Sequence, residues 1–439
     1  MKGKKEKNKL FLVKAAKPIG FYMSGAVGCS LVKNIYILVA ICGLILLPSF
    51  VAHALTFDNL GTKLEFENND SGFFSLRLND QLIVVEPTES IILKVPRSYK
   101  VSAAASEVVG VETVELLYTG NDFIYLSLKF SNRGAMLDTL SRLGQDRAFE
   151  VQPDLIVHRQ ISHDGSAHIH RSQSKKSFVH KNRHLRTIRE ELLWKRHKGT
   201  GVRVALIDDG VDLTHGQFQK VNVVAEFDAD LIRDKANPQD KLYSHGTRVA
   251  GVIWANHEGH LKGLAPQAEL IAIRQVVGQT SAVLRAFEFA RKHNADIINA
   301  SWNSQLLLEP IADVVNDFAE HGREGKGAIV VFSAGNDGKS IGPSTSEASI
   351  EQAVVVGASN KAGKRLAKSN YGQTVDFSLF GGGIRSTTLN GGYQLLAGTS
   401  LSAAMASGLF ALFIERNPHA TAIELQNQFK SWLAEGVGV

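Results

Sequence analysis

The chain has 439 residues, of which 44% are apolar and 21% charged, a composition typical of a globular protein with a substantial buried core. The formal net charge is +6, but residues 1–54 hold eight lysines and one acid, so the rest of the chain is close to neutral. The basic balance is therefore no argument for a nucleic-acid partner, and none is predicted. Both cysteines, Cys29 and Cys42, lie in the same N-terminal segment, which excludes disulfides and thiol catalysis from the remainder.

Residues 1–54 have the pattern of a secretory signal peptide. Lysines crowd the start, residues 35–47 carry no charge, and Ala52-His53-Ala54 fits a small-x-small cleavage site. The alternative is an uncleaved membrane anchor, because residues 35–55 are just long enough to span a bilayer. Met23 is a second candidate start. We expect a secreted or periplasmic protein that meets the membrane only through this segment.

Residues 55–157 are predicted to form a small α+β unit. Phe73–Val85 and Asp122–Phe130 alternate like half-buried strands. Residues 134–144 carry apolar side chains on one helical face, and residues 148–157 form a further strand. The unit contains no polar cluster that suggests chemistry.

Residues 158–186 differ in character from the segments on either side. They hold six of the fifteen histidines and seven basic residues against one acid. This composition predicts a flexible linker that a protease can cleave. A pH or metal sensor is the alternative, since histidine changes charge near neutral pH, but the spacing matches no metal-site pattern.

From residue 187 to residue 439, short apolar runs alternate with helical stretches. The runs fit strands buried on both faces, at Val202–Ile207, Leu270–Ile273, Asp296–Ala300, Ala328–Phe332 and Val354–Val356. The stretches with helical spacing are Ala282–His293, Ile311–His321 and Ser402–Glu415. Alternation of this kind predicts an α/β domain whose mainly parallel sheet is connected by crossover helices.

Three polar residues stand where α/β proteins place their sites. Asp208 ends a buried strand, His245 opens an apolar helix, and Ser400 lies between a short strand and a helix. Each has an ordinary alternative, as a loop acid, a helix-start residue or a helix cap. Together they supply an acid, a base and a nucleophile, which is what acyl transfer requires.

A tetrahedral intermediate also needs hydrogen-bond donors for its oxyanion. The candidates are the side-chain amide of Asn336 and the backbone N–H of Ser400. The alternative for Asn336 is a turn residue, because it stands in the sequence Gly335-Asn-Asp-Gly338.

Residues 199–418 resemble the subtilisin-like serine proteases, the subtilase family. The resemblance is carried by Gly201-Val-Arg-Val-Ala-Leu-Ile-Asp208, His245-Gly-Thr247, Gly263-Leu-Ala-Pro266, Ile297-Ile-Asn-Ala-Ser301, Ser333-Ala-Gly-Asn336, Ser369-Asn-Tyr-Gly372 and Gly398-Thr-Ser400. It implies a three-layer αβα fold with a mainly parallel sheet, and a serine endopeptidase acting on polypeptides. By resemblance Asp208, His245 and Ser400 are the catalytic triad and Asn336 is the oxyanion donor.

The upstream unit, 55–157, resembles the inhibitory propeptide of this family, which ends much as Phe149-Glu-Val-Gln-Pro-Asp154 does. The resemblance implies a zymogen whose own propeptide assists folding, inhibits the enzyme and is removed by self-cleavage in residues 158–186. The catalytic domain would then be residues 187–439, and nothing in the sequence suggests an oligomer, so we expect a monomer.

The segment expected to line the substrate pocket departs from the family pattern. It reads Ser301-Trp302-Asn303-Ser304 where Ser-Leu-Gly-Gly is usual, and Ala334 and Gly335 are its expected neighbours in substrate binding. Ser301, Trp302 and Asn303 are expected to line the pocket, with the ring of Trp302 packed rather than stacked on a substrate. Ser301-Trp302, together with Asp208-Asp209-Gly210 and His245-Gly-Thr-Arg248, resembles the kexin branch of the family. This resemblance implies the hypothesis that the protein cleaves after basic residues. Lys175-Lys176 would suit such self-cleavage.

Two further departures concern metal binding and activity. The family often has His-Pro-Asp-Leu, with a calcium-binding acid, where this chain has His215-Gly-Gln217-Phe218. Gln217 supplies no charge, so we predict no metal site and no cofactor for catalysis, and a structural calcium is in doubt. The helix after the nucleophile reads Leu401-Ser-Ala-Ala-Met405, where the family usually has Met-Ala-x-Pro-His. Together with the altered pocket segment, this difference leaves an alternative function open. The protein would then be a catalytically weak pseudoprotease that acts as a binding or scaffold module.

Overall fold

The computed structural model describes residues 54–69, 72–78, 81–145, 149–157, 195–238, 244–256 and 261–434. The predicted signal segment, except Ala54, and the predicted linker therefore lie outside the described residues. Among the helices that the structure describes, none is long and apolar enough to cross a membrane. The described residues contain two large sheets, one in the upstream unit and one in the domain that follows.

The upstream sheet is antiparallel, in the order β1-β2-β3-β4-β6-β5, with β7 also paired to β4. Its strands are β1 (Leu55–Asn59), β2 (Thr62–Asn69), β3 (Phe73–Leu78), β4 (Gln81–Pro96), β5 (Val111–Thr119), β6 (Phe123–Phe130) and β7 (Glu150–Val157). Two helices accompany it, α1 (Val101–Glu107) and α2 (Arg133–Leu143). The predicted helix and the strands at 122–130 and 148–157 are confirmed to within two residues.

The single strand predicted over Phe73–Val85 is wrong, because the chain folds back within it. β3 ends at Leu78, β4 begins at Gln81, and these two residues face each other in an antiparallel pair. The same register pairs Phe74 with Val85. Directly paired residues lie on the same face of a sheet, so Leu78 and Gln81 share a face although they are three residues apart. The alternation of side chains therefore shifts by one residue between β3 and β4.

The second sheet is parallel throughout and has the order β14-β13-β12-β11-β8-β10-β9. Its strands are β8 (Arg203–Asp208), β9 (Val223–Asp228), β10 (Glu269–Arg274), β11 (Ile297–Ala300), β12 (Ile329–Ser333), β13 (Val354–Ser359) and β14 (Phe377–Phe380). The five predicted strands are all present. The chain order reverses at β8, and ligands of open parallel sheets bind outside the carboxyl ends of strands at such a switch point.

Helices cover both faces of this sheet, as the predicted α/β architecture requires. One face packs against α3 (His245–Trp254), α6 (Thr399–Arg416) and α7 (Ala422–Trp432), and the other against α4 (Thr280–Lys292) and α5 (Glu309–Gly325). Along β8, Val204 and Leu206 join the first core, and Ala205 and Ile207 join the second. The fold is therefore the three-layer αβα arrangement, and a hairpin of β15 (Gly382–Thr388) and β16 (Gly392–Ala397) leads into α6.

The core under α4 and α5 continues into the upstream unit. Phe287 of α4 and Phe318 of α5 belong to the same cluster of buried side chains as Tyr118 of β5 and Leu126 of β6. Because these side chains exclude water together, the upstream sheet and the two helices share one apolar interior.

Candidate active site

The three predicted catalytic residues lie at the ends of elements that meet at the switch point. Asp208 is the last residue of β8, His245 is the first residue of α3, and Ser400 is the second residue of α6. All three are buried, with at most 5% of each residue exposed. A serine at this position lies in the first turn of a long helix, where the macrodipole favours developing negative charge.

Asp208 and His245 are joined side chain to side chain. The Nδ1 atom of His245 lies 2.8 Å from Oδ1 and 3.0 Å from Oδ2 of Asp208. A carboxylate only accepts, so this contact places the imidazole proton on Nδ1 and assigns proton exchange to Nε2.

The carboxylate of Asp209 contacts the main chain of the same histidine. Its Oδ2 accepts from the backbone N–H of His245 at 2.9 Å, and its Oδ1 accepts from that of Gly246 at 2.7 Å. Burial first, and the adjacent charge of Asp208 second, raise the pKa of Asp209 to about 6. In the sequence, Asp209 stands out only as part of the motif Asp208-Asp209-Gly210, and its position directly after Asp208 is the one signal of its role.

Ser400 is held against the segment that follows β11. Its hydroxyl donates to the backbone carbonyl oxygen of Ser301 at 3.2 Å. The Ser301 hydroxyl lies 2.8 Å from Oδ1 of Asn299 and 3.1 Å from the Ser400 carbonyl oxygen, either of which can accept its proton. These contacts fix the start of α6 to the end of β11, beside β8 in the sheet.

Asn336 has one satisfied and one unsatisfied end. Its Oδ1 accepts from the backbone N–H of Thr399 at 3.0 Å and from the Thr399 hydroxyl at 3.2 Å. This acceptor role defines which end of the amide is Nδ2. That atom is buried and has no hydrogen-bond partner within the described residues. A buried donor left open beside the residue preceding Ser400 suits an oxyanion that forms only during reaction.

The expected substrate-binding segments follow two neighbouring strands, β11 and β12. Nδ2 of Asn303 donates to the Ser333 carbonyl oxygen at 3.3 Å, which connects the two segments. Gly335 has φ +95°, and a Cβ there would lie 3.0 Å from Nδ2 of Asn303. Its backbone N–H donates to the Thr399 hydroxyl at 3.2 Å, and the preceding Ala334 is buried. The two segments therefore lie side by side next to the start of α6.

The side chain of Trp302 lies beneath this surface and not on it. Only 3% of the residue is exposed, and its indole Nε1–H donates to the Ile207 carbonyl oxygen at 2.8 Å. Its ring meets Phe332 edge to face at 5.5 Å. The indole is part of the core, as expected for a packing residue, so the predicted role of Trp302 in substrate binding concerns its backbone.

The residues at the position of the family's calcium-binding acid do not fit a cation. Gln217 is fully buried, its Nε2 donates to the Tyr393 hydroxyl at 2.9 Å, and its backbone N–H donates to Nδ1 of His215. An amide offers Ca²⁺ only a neutral carbonyl oxygen, so Gln217 cannot supply the negative charge that a carboxylate gives a calcium site. Across the described ranges, no three His, Cys, Asp or Glu side chains group together as metal ligands would.

Comparisons with known proteins identify the family of the chain. Residues 199–432 match the family model described as the subtilase family. Subtilisin NAT of Bacillus subtilis subsp. natto is 31% identical over 242 residues, which cover 54% of this chain and 61% of that protein. A calcium-dependent protease of a Nostoc species is 31% identical over 283 residues, covering 55% of this chain and 42% of that protein.

Among solved structures, fervidolysin of Fervidobacterium pennivorans, a keratinolytic enzyme related to subtilisin, aligns with a TM-score of 0.59. The alignment covers 78% of this chain and 57% of that one at 20% identity, so the likeness concerns the fold alone. The chain thus spans less than two thirds of the length of these three proteins.

Proposed function

Because the chain belongs to the subtilase family, we propose that it is a serine endopeptidase that hydrolyses peptide bonds of polypeptides through an acyl-enzyme. The observation that carries the proposal is the contact of His245 Nδ1 with the Asp208 carboxylate, at the edge of the sheet where α6 presents Ser400. This pairing fixes the tautomer that lets imidazole act as a base at Nε2.

The proposed reaction assigns one task to each residue. Ser400 Oγ attacks the substrate carbonyl carbon as its proton passes to Nε2 of His245, and Asp208 stabilises the imidazolium that forms. Asn336 Nδ2 and the backbone N–H of Ser400 donate to the oxyanion. His245 then gives its proton to the leaving amine, which leaves an ester on Ser400. Water hydrolyses the ester by the same steps in reverse order.

The end of β7 suggests how a peptide substrate lies in the cleft. Ile156 forms an antiparallel bridge with Gln279, and the backbone N–H of Val157 donates to the Gly278 carbonyl oxygen at 3.1 Å. A peptide that continued this antiparallel pairing would run from Gly278 back towards Arg274, whose neighbour in the sheet is Asp208. Strand addition of this kind supports an extended substrate that leads to the triad.

We propose that the upstream unit is the inhibitory propeptide, because it caps two helices of the catalytic domain. Within the described residues, neither α4 nor α5 has a side-chain cap from its own N-cap residue. The Asp154 carboxylate accepts from the backbone N–H of Ser281 at 2.9 Å, in the first turn of α4. Asn59 Oδ1 accepts from the backbone N–H of Glu309 at 2.8 Å, the first residue of α5. Unsatisfied N–H groups at both helix starts are thus bonded by the upstream unit.

Charged and polar pairs extend this contact along α4 and α5. The Tyr118 hydroxyl donates to Asp317 Oδ2 at 2.7 Å in a buried setting. Arg285 donates to both carboxylate oxygens of Glu115, at 2.6 and 2.7 Å. The geometry is bidentate and supports a specific, oriented complex of the propeptide with the enzyme.

The remaining parts of the proposal follow the N-terminal sequence and the position of Val157. We infer export as a zymogen to the periplasm or the medium, and self-cleavage in residues 158–186, directly downstream of β7. After cleavage the partners of the monomeric enzyme would be its own propeptide and polypeptide substrates.

One experiment tests the proposal. Residues 55–439 are expressed as wild type, as Ser400→Ala and as the control Ser402→Ala, whose hydroxyl donates to the Leu379 carbonyl oxygen away from the triad. The N-terminus of each product is sequenced, and labelling of each protein by a serine-directed fluorophosphonate is measured. Wild type and control should be cut within residues 158–186 and labelled, and Ser400→Ala should be neither. An uncut, unlabelled wild type would contradict the enzyme and favour the pseudoprotease. The residue before the cut tests the hypothesis of cleavage after basic residues.

A further inference from the structure

The start of α3 is bonded from an unusual source. The first N–H groups of a helix have no partner within the helix, and a side chain at the N-cap usually satisfies one of them. Here the N-cap residue is Ser244, whose side chain makes no capping hydrogen bond among the described residues. Asp209, the residue directly after β8, accepts from the N–H groups of both His245 and Gly246 instead.

We propose that Asp209 is a positioning residue for the catalytic base, whose carboxylate fixes the main chain of His245 while Asp208 fixes its ring. The inference rests on the proposed function, because it assigns His245 the role of base. Two consecutive acids at the end of β8 thereby hold one histidine at two different places, by side chain and by backbone.

The start of α3 lies against the end of β8. A Cβ added to Gly246 would lie 3.0 Å from Cβ of Asp208, so the helix start presses directly against the end of β8. Thr247 Oγ1, one residue further, accepts from the backbone N–H of Asp212 at 2.9 Å. The two hydrogen bonds to Asp209 then determine how far the backbone of His245 lies from the end of β8. A misplacement of about 1 Å at a reacting group can cost roughly 100-fold in rate.

The ionisation state of Asp209 matters because only the carboxylate offers two acceptor oxygens. Within the described residues, the charged groups that act on it are Asp208, at the end of β8, and His245, on α3. Burial and Asp208 bring its pKa to about 6. As pH falls through this value, one oxygen gains a proton and can no longer accept from the helix start. Acid should therefore inactivate the enzyme at two places, at the base itself and at Asp209.

The test compares Asp209→Asn and Asp209→Ala with the control Asp212→Asn, in the chain 55–439. Asp212 is a nearby acid whose carboxylate contacts Thr214 and Asn390 and not α3. We expect kcat on a peptide substrate to fall roughly 10- to 100-fold in Asp209→Ala and less in Asp209→Asn, with KM nearly unchanged. The acid limb of kcat/KM should become less steep in both variants, while Asp212→Asn should match the wild type.

Folding is checked separately, by thermal unfolding of each variant combined with Ser400→Ala, which prevents self-cleavage. The proposal would be overturned if Asp209→Ala had the wild-type kcat and the wild-type acid limb of kcat/KM. An effect confined to KM would also overturn it, because that result indicates a contact of Asp209 with the substrate. Failure of both Asp209 variants to fold would overturn it too, by making Asp209 a determinant of the fold. A wild-type chain without hydrolytic activity would instead overturn the proposed function.

Discussion

Replacing Asn336 with aspartate separates its two contacts more cleanly than removing the side chain does. Aspartate keeps an oxygen where Oδ1 accepts from the backbone N–H and the hydroxyl of Thr399. It replaces the buried Nδ2 donor by a second acceptor of the same size. Asn336→Ala removes both ends and is the comparison variant.

The expected magnitudes follow from these two contacts. Loss of one oxyanion donor lowers kcat about 100- to 1000-fold, a range that was measured on subtilisin, a relative of this chain. Both variants should show at least this loss with KM little changed, because the donor acts in the transition state. Asn336→Ala should lose about 1 kcal/mol of stability, since it leaves the Thr399 N–H without its acceptor. Asn336→Asp keeps that acceptor and should lose stability for a different reason, because its charge lies where the buried Nδ2 has no partner in the described part of the chain.

The assay pairs steady-state kinetics on a peptide substrate with urea unfolding of each variant in the Ser400→Ala background. Ser402→Ala serves again as the matched control for handling and self-cleavage. An Asn336→Asp enzyme with wild-type kcat would refute the reasoning, because it would show that the oxyanion is bound by other groups.

Three further predictions concern packing, the contact of the upstream unit with α5, and pH. Gly251→Ala on α3 would place a Cβ 2.9 Å from the Thr387 backbone nitrogen. Overpacking of this kind should lower the free energy of unfolding by about 1–3 kcal/mol, measured by urea unfolding. An unchanged urea midpoint of unfolding would contradict this prediction. Tyr118→Phe, in the Ser400→Ala background, removes the 2.7 Å bond to buried Asp317 and should cost about 1.5–3 kcal/mol, measured by the same unfolding; Tyr99→Phe, whose hydroxyl bonds exposed Glu107, is the control and should change little. The pKa of Asp209 is raised from 3.8 to about 6, so the stability that its protonated form contributes is complete below pH 3.8 and lost as pH rises through 6. Asp209→Asn should therefore narrow the difference in unfolding free energy between pH 5 and pH 7, and an equal difference in both proteins would count against the shift.

The sequence predicted the parallel sheet well because buried parallel strands read as unbroken apolar runs. Val202–Ile207 and Ala328–Phe332 became β8 and β12 with shifts of one residue. The upstream sheet was harder, since alternation alone does not show where a strand turns back. Within the predicted strand Phe73–Val85 the alternation shifts by one residue at the hairpin, and the pairing of Leu78 with Gln81 locates the turn.

The candidate site shows the same division between what a sequence states and what packing decides. Asp208, His245 and Ser400 could be named because strand ends and helix starts are visible in the sequence. Whether the ring of Trp302 points to the cleft or the core depends on its contact with Phe332, which lies 30 residues away in sequence. The contact of Asp209 with the start of α3 is likewise a distance between two elements, and no local pattern encodes it.

The helix starts of α4 and α5 have a consequence for the lifetime of the enzyme. The first N–H groups of these helices donate to Asp154 and Asn59, which lie upstream of the proposed cleavage. If the upstream unit were cleaved and released, those N–H groups would hydrogen-bond to water. The released domain would then have lost contacts that were present when it formed. Its persistence would depend on the height of the barrier to unfolding rather than on an equilibrium that favours return. Such an enzyme would be long-lived but, once unfolded, would not recover without the part of the chain that it had cut away.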